Sequence, residues 1–237
     1  MPPPFATAGR RAFLASGGLL LTGCGRRGDS PTLACAAGWR AIVAPAVRRF
    51  ERRTGTPVRT LYDGSGRLVS LINLGGGVDL FLAADRSYLD DLRRPAAVTT
   101  IRRQRVRCVR GRDAADVTLR ELVDGTARVS LASAEAAAVG RVLRRTIGGA
   151  AFESLRRRAV SRTTVTEVAA DVGKLGAADY GFVWDTTWPD DRSLVTVPMP
   201  ELRDAVGEVA IGRLGEPGSA VAGLEAAILD ALRCGRP

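Results

Sequence analysis

The chain has 237 residues, of which 46% are hydrophobic and 25% charged, so it can form one large domain or two lobes of roughly 100 residues each. It contains no histidine, which excludes Ser-His-Asp triads, Cys-His pairs and zinc sites that need imidazole ligands. The formal net charge of +10 suits anionic partners, but the arginines are spread in pairs and triplets, a pattern typical of solvated helix faces.

Residues 1–23 have the features of a bacterial export signal. Arg10-Arg11 precedes a short apolar run from Leu14 to Leu21, and small residues precede Cys24, which is the order expected of such a signal. The run is too short to span a bilayer, which takes about 20 apolar residues. The arginine pair resembles a Tat signal, with the Sec route as the alternative, and Leu-Thr-Gly-Cys resembles a lipobox. We therefore expect lipidation at Cys24, with residues 24–30 forming a tether.

Strands and amphipathic helices alternate after the tether. Apolar runs predict strands over Thr32–Ala37, Val58–Tyr62 and Val78–Ala83, and helical spacing of apolar residues predicts helices over Trp39–Arg53 and Arg67–Leu74. Glycine-rich turns separate these elements. Such alternation predicts a parallel sheet with helices on its faces, which binds ligands at the carboxyl ends of its strands. We assign residues 31–104 to the first part of lobe 1.

A second series of the same kind follows. Its predicted elements are a strand over Arg105–Val109, a helix over Thr118–Val123, a strand over Ala127–Ala132, helices over Val139–Thr146 and Val165–Lys174, and a strand over Ala178–Trp184. Two strands, Leu194–Val197 and Val206–Ile211, and a helix over Gly218–Arg233 complete the chain. We assign residues 105–188 to lobe 2 and residues 189–237 to return strands and the closing helix of lobe 1.

Three stretches, in this order and spacing, resemble the molybdate-binding protein family of bacterial ABC importers and, more widely, type II periplasmic solute-binding proteins. They are Thr32 to Trp39 with the helix that follows, Asp63-Gly-Ser-Gly with the strand ending at Asp85, and Ala178 to Trp184. The resemblance implies an α/β fold of two lobes, each with a parallel-rich sheet, and a ligand cleft between them. It also implies a non-enzymatic, monomeric lipoprotein without cofactors, on the periplasmic or extracytoplasmic face of a bacterial membrane, that passes a small oxyanion to an ABC permease.

The same resemblance implies a set of ligand-binding residues, namely Gly38, Ser65, Val139, Thr166 and Trp184. Most lie at predicted helix starts, where unpaired backbone N–H groups and the positive end of the helix dipole favour anions. The chain departs from the family pattern twice, because Gly38 stands where the family has serine and Trp184 where it commonly has tyrosine. Arg67 could replace the missing serine hydroxyl with a charge-assisted hydrogen bond, or face solvent. Trp184 could instead be core packing between the lobes.

Two other classes of function share this pattern. An enzyme on the same scaffold would need an activated nucleophile, but histidine is absent and the only lysine, Lys174, lies at a polar helix position. Asp79 and Asp85 are a poor acid/base pair, since they flank opposite ends of one predicted strand. A nucleic-acid or polyanion binder is disfavoured by the dispersed arginines and the export signal. We therefore expect no nucleic-acid partner.

The cysteines that follow Cys24 predict no metal site. Cys35, Cys108 and Cys234 show no CxxC spacing and have no histidine partners. An oxidising compartment leaves one disulfide possible. Buried structural cysteine is the favoured interpretation, because free cysteine is among the most buried residue types.

Overall fold

The structure is a computed structural model that describes residues 30–94, 96–187, 193–215 and 218–234. The predicted export signal, the lipidation site Cys24 and residues 24–29 of the tether lie outside the described residues. No helix in the described ranges is long and apolar enough to cross a membrane.

The described residues alternate strands and helices, as the sequence predicts. In chain order the strands are β1 (Thr32–Ala36), β2 (Arg59–Asp63), β3 (Leu80–Ala83), β4 (Ala97–Gly111), β5 (Val129–Ala132), β6 (Val160–Arg162), β7 (Tyr180–Trp184), β8 (Leu194–Val197) and β9 (Val206–Arg213). The α-helices are α1 (Arg40–Thr54), α2 (Ser65–Asn73), α3 (Ser87–Asp90), α4 (Leu119–Asp124), α5 (Ala138–Ile147), α6 (Gly149–Arg156), α7 (Val165–Gly173) and α8 (Ser219–Cys234).

The first half of the molecule is built on β1, which pairs in parallel with β2 on one side and β3 on the other. All five residues of β1 are buried, because α1 and α2 connect these parallel strands across the faces of the sheet. Strand β9 adds to β3 in the antiparallel sense, and α8 packs against α1.

The second half has the same plan. Strand β5 lies between β6 and β7 and is parallel to both. Helix α5 follows β5 and helix α7 follows β6, so each half presents helix starts at the carboxyl edge of its parallel strands.

A single long strand, β4, joins the halves. Its first part pairs with β9 over Ala97 to Arg105, and its last part pairs with β7 and β8. The sequence predicted a strand only from Arg105, because the preceding residues alternate exposed and half-buried positions and so lack an apolar run. The connected strand order is β2-β1-β3-β9-β4-β7-β5-β6, with β8 beside β4, a mixed sheet of the predicted α/β class.

Three short elements and one strand assignment differ from the sequence prediction. Helices α3 and α6 and strand β6 were not predicted, since each has eight residues or fewer and too few apolar positions to show a period. Strand β8 pairs with the last part of β4, in the second half, whereas the predicted division placed residues 189–237 in lobe 1. Of that segment, β9 and α8 contact the first half.

The three described cysteines are free thiols. Cys35 and Cys108 are buried in the core, as expected, and burial raises the pKa of Cys108 to about 12, so the unreactive thiol form persists. Cys234 is exposed, and its expected burial is wrong because it ends α8 beyond the last core position, Leu232.

Candidate ligand-binding site

Four helix starts, two from each half, line one small cavity. They are the β1–α1 turn at Gly38, the start of α2 at Ser65, the start of α5 at Val139 and the start of α7 at Val165. Each follows a parallel strand, so the fold brings the four turns to one edge of the sheet. Four of the five predicted site residues, Gly38, Ser65, Val139 and Trp184, lie in this lining.

The cavity suits a small acceptor group. Its walls are mostly the backbone and methyl groups of alanine, glycine and valine. The first N–H groups of a helix have no partner within that helix, and the dipole adds partial positive charge there. The cavity has a volume of about 20 Å³, room for about one water, so the halves must separate slightly to admit a tetrahedral anion.

Ser65 contributes a side-chain hydroxyl to this cavity. The residue is buried, with 1% of its surface exposed, and its Oγ accepts a hydrogen bond from the backbone N–H of Ala84 at 3.2 Å. That bond uses a lone pair and leaves the hydroxyl proton free to donate. Ser65 therefore combines an anchored oxygen with an available donor.

Both oxygens of the neighbouring Asp63 carboxylate already have partners. Its Oδ1 accepts from the Gly64 N–H at 2.7 Å, and its Oδ2 lies 3.2 Å from Nε of Arg67. Arg67 is therefore engaged outside the cavity and does not replace the missing serine hydroxyl of residue 38. Asp63 is the one carboxylate among the described residues that line the cavity, so these residues contain no pair of acid and base side chains.

Gly38 is explained by crowding across the cleft and not by backbone conformation, since its φ is not among the positive values of the described glycines. A Cβ atom at this position would lie 3.0 Å from Cγ1 of Val165 and 3.9 Å from Oγ1 of Thr187. Val165 thus fills the space that a side chain at residue 38 would need. The fifth predicted site residue, Thr166, lines an adjoining groove instead of the cavity.

Trp184 serves both the cavity and the core. It ends β7, pairs with Val106 of β4, and is 2% exposed. A Cβ atom on Gly207 of β9 would come within 2.7 Å of its ring, so the absence of a side chain at residue 207 makes room for the indole. The ring thus packs on β9 while bordering the cavity.

Close contacts join the two halves beside the cavity. The Gly66 N–H of α2 donates to the carbonyl of Ala136 at 2.8 Å, and the hydroxyl of Tyr88 donates to the carbonyl of Ala134 at 3.1 Å. A Cβ atom on Gly66 would collide with the carbonyl oxygen of Glu135. Glycine at residue 66 therefore allows the two backbones to approach, and the structure is a closed arrangement.

Arg141 of α5 adds a side-chain clamp, which the sequence did not reveal. Its Nη1 lies 2.7 Å from Oδ2 of Asp91, and its guanidinium lies 3.5 Å from the ring centre of Tyr88. Burial raises the pKa of Tyr88 to about 12, against the opposing effect of Arg141. Asp91 and Tyr88 belong to the first half and Arg141 to the second, so the clamp spans the cleft.

The adjoining groove is larger and more polar. It has a volume of about 700 Å³ and shares Ala37, Gly38, Asp63 and Thr164 with the cavity. Its remaining polar lining comprises Arg40, Arg48, Tyr62, Thr163, Thr166, Glu167 and Thr187. Helix α7 begins there with a capping box, in which Thr164 and Glu167 exchange hydrogen bonds.

Other titratable groups have structural roles. Asp79 accepts a hydrogen bond from the N–H of Thr32 at 2.7 Å, and Asp85 accepts from the N–H of Glu208 at 3.4 Å. These contacts hold β1 and β9 against neighbouring loops. The described residues contain no group of cysteine, aspartate and glutamate side chains that could hold a metal ion.

Two α/β halves joined through a long strand, with helix starts from both halves around a closed cavity, define the type II periplasmic binding protein fold. A family model described as bacterial extracellular solute-binding protein matches residues 31–213. The chain belongs to this solute-binding family. No curated protein sequence matches it.

Solved structures of several binding proteins share the fold. The periplasmic molybdate-binding protein of Azotobacter vinelandii is 14% identical with a TM-score of 0.65, covering 88% of this chain and 100% of its own. The substrate-binding domain of a putative molybdenum ABC transporter from Clostridium difficile is 18% identical, with a TM-score of 0.52 and coverages of 86% and 92%. The CcmR regulatory domain of Synechocystis PCC6803, in complex with 2-PG, is 9% identical, with a TM-score of 0.66 and coverages of 86% and 98%.

Proposed function

We propose that this protein is a lipid-anchored receptor of an ABC importer that binds a small tetrahedral oxyanion of the molybdate or tungstate type in the cavity. The observation that carries the proposal is the convergence of four helix starts on one small cavity, with Ser65 among its lining residues. Backbone N–H groups can surround an oxyanion without any charged side chain. The proposed ligand contacts are Gly38, Ser65, Val139 and Trp184, with Thr166 near the opening.

Closure over the ligand supplies the signal for transport. An anion that contacts helix starts of both halves binds the closed form better than the open form and shifts the population toward it. We propose that residues 31–104 with β9 and α8 form one lobe and residues 105–188 most of the other, and that the monomer delivers its ligand to a permease on the membrane that holds the Cys24 lipid. Two of the similar structures are named for molybdate or molybdenum transport, which supports this ligand class.

Binding is tested by thermal shift and calorimetry of the purified full chain. We expect molybdate, tungstate, sulfate or phosphate to raise the melting temperature above that in chloride of equal ionic strength, because a ligand of the native state stabilises it by mass action. If none of these anions differs from chloride, the cavity is not an oxyanion site.

Lipidation is tested with the Cys24→Ser variant, which we expect to accumulate as an unprocessed precursor that no longer partitions with membranes, because the thiol is the acyl acceptor. Cys234→Ser is the matched control, since that thiol is exposed at the far end of the chain. Normal cleavage and membrane partition of the Cys24 variant, measured by mass spectrometry and fractionation, would contradict the lipoprotein assignment.

A further inference from the structure

Thr187 carries a buried hydroxyl that has no hydrogen-bond partner in the part of the chain that the structure describes. The residue follows Trp184 at the end of β7, and its Oγ1 lies 3.9 Å from the position of a Cβ atom on Gly38. A shielded hydroxyl without a partner is costly and unusual in a native protein. A ligand oxygen beside Gly38 would supply the missing partner.

Thr187 is a lining residue of the groove and not of the cavity. Its Oγ1 is shielded in the closed arrangement, so a ligand reaches it as the halves separate to admit the ligand. Because the two spaces share their walls at Gly38, Asp63 and Thr164, a group bound in the cavity can continue into the groove. The cavity has room for about one water before the halves separate, so it can admit at most a compact head group, whereas the groove is far larger. The geometry thus accommodates a ligand with a compact head and an attached substituent.

Charge in the groove favours a negative substituent. Arg40 lies 5.1 Å from the ring centre of Tyr62. Arg48 lines the same groove. Burial, the largest influence, raises the pKa of Tyr62 to about 12, while the charges of Arg40 and Arg48 oppose this rise. Neither arginine forms an ion pair with a described carboxylate.

The acidic groups that face these arginines are already engaged. Asp63 pairs with Arg67 at 3.2 Å. The Oε2 atom of Glu167 accepts hydrogen bonds from the N–H groups of Thr163 at 3.1 Å and Thr164 at 2.8 Å. Arg67 offsets the charge of Asp63, whereas the neutral N–H donors leave the charge of Glu167 in place. The two guanidinium groups exceed this one remaining carboxylate, so the groove is net positive.

We propose that the groove is a second subsite, through which the same site also takes an organic oxyanion, with a tetrahedral head group in the cavity and a second anionic group held by Thr187, Arg40 and Arg48. This inference rests on the proposed oxyanion site and adds a substituent to its ligand.

Calorimetry of the full chain with two matched probes tests the proposal. Phosphonoacetate and methylphosphonate share a phosphonate head, but only phosphonoacetate carries a carboxylate. We expect phosphonoacetate to bind at least about tenfold more tightly, since a charge-assisted hydrogen bond is worth that much or more. Equal affinities would overturn the second subsite, even if both probes and molybdate bind. Failure of every anion to bind would overturn the cavity site itself, and the subsite with it.

Single-residue variants identify which side chains bind the carboxylate of phosphonoacetate. Thr187→Val removes the hydroxyl at nearly constant shape, and Arg40→Gln and Arg48→Gln each remove one charge. We expect each to weaken phosphonoacetate about tenfold and to change methylphosphonate by less than twofold. Arg49→Gln is the control. Arg49 lies on the same helix but lines a different groove, which lies between α1 and α8. If Thr187→Val binds phosphonoacetate as well as the parent does, the proposed role of Thr187 is wrong.

The unpartnered hydroxyl gives a second measurement. Thr187→Val should leave the melting temperature of the ligand-free protein unchanged or raise it, because no hydrogen bond is lost. A clear fall would mean that the hydroxyl has a structural partner, and would overturn the argument from its isolation.

Discussion

At the scale of single residues, Ser65 is the side chain on which the proposed oxyanion binding depends most directly. It begins α2 and lines the cavity, and the Ala84 N–H holds its hydroxyl oxygen in place. Removing the hydroxyl takes away one donor to the ligand and one acceptor for the backbone.

We predict that Ser65→Ala weakens molybdate or sulfate binding by about 1.5 to 3 kcal/mol, the value of a hydrogen bond to a charged group, and lowers the free energy of unfolding by about 1 kcal/mol. Ser70→Ala is the matched control, since that exposed hydroxyl on the same helix contacts only the Gly66 carbonyl. Calorimetry and urea unfolding measure the two effects. Unchanged affinity in Ser65→Ala would remove this turn from the site.

Gly38 and Val165 share one space, so the effect of a serine at residue 38 depends on its neighbour. Valine is branched at Cβ and has little freedom to turn away, and the contact would be only 3.0 Å. The family resemblance implies a serine hydroxyl at residue 38, which this chain lacks and which Gly38→Ser would supply. The structure shows that the donor first needs room.

We predict that Gly38→Ser alone lowers the free energy of unfolding by about 1 to 3 kcal/mol through overpacking and does not tighten binding. In a Val165→Ala background the same serine should fit and tighten oxyanion binding by up to about 1.5 to 3 kcal/mol relative to Val165→Ala alone. Calorimetry on the parent, the two single variants and the double variant measures these affinities. Tighter binding by Gly38→Ser alone would contradict the prediction.

At the scale of elements, the position of α7 determines one side of the cavity, and a buried carboxylate holds this helix on the sheet. Asp171 of α7 is 1% exposed and accepts hydrogen bonds from Ser130 of β5 at 2.6 Å and from two nitrogens of Arg162 at 2.7 Å. Burial alone would raise the pKa of Asp171, but the hydrogen bonds from Arg162 and Ser130 outweigh it and lower the pKa.

We predict that Asp171→Asn lowers the free energy of unfolding at pH 7 by about 2 to 3 kcal/mol, because Arg162 loses its charged partner. The pKa of Asp171 is lower in the folded state than in the unfolded state. The stability that this carboxylate contributes is therefore present above its unfolded-state pKa of about 4 and is lost as pH falls through its folded-state pKa. The difference between parent and variant should therefore shrink in acid. Urea unfolding at several pH values measures this.

The control for this variant is Asp124→Asn, whose pair with Arg120 is exposed and 3.5 Å long. Exposed pairs contribute about 0 to 1 kcal/mol, so this variant should resemble the parent at all pH values. A constant cost for Asp171→Asn from neutral to acid pH would show that its role is steric and not electrostatic.

At the scale of the whole molecule, the clamp formed by Arg141, Asp91 and Tyr88 favours the closed arrangement even before a ligand binds. The ion pair is partly exposed and contributes about 1 kcal/mol or less, and the contact with Tyr88 adds about 0.5 to 2 kcal/mol. Together they can change the ratio of closed to open forms by about tenfold.

We predict that Arg141→Gln increases the radius of gyration of the ligand-free protein in small-angle X-ray scattering and weakens anion binding by up to about tenfold, because the closed form loses contacts that the open form lacks. Arg144→Gln on the same helix is the control, since Arg144 pairs with Glu135 within the second half. An unchanged radius and affinity in Arg141→Gln would mean that the clamp does not bias closure.

The sequence by itself determined the α/β class, most element positions and the turns at Gly38, Ser65 and Val139. These features depend on local periodicity and on glycine-rich turns, which nearby residues encode. Short elements such as α3 and β6 were not predicted, because three or four residues are too few to show a hydrophobic period. The exposed first part of β4 was not predicted as a strand, because it lacks an apolar run.

Only the tertiary structure decided how the turns meet. Four side-chain features show this. Val165 fills the space beside Gly38, and Asp63 pairs with Arg67. The Thr187 hydroxyl has no partner among the described residues, and Arg141 pairs with Asp91. Two of these features, the approach of Val165 to Gly38 and the pair of Arg141 with Asp91, join segments far apart in the chain, and a single sequence carries no periodic signal for such pairs. They arise because β4 and β9 join the two halves and set how closely the helix starts approach one another.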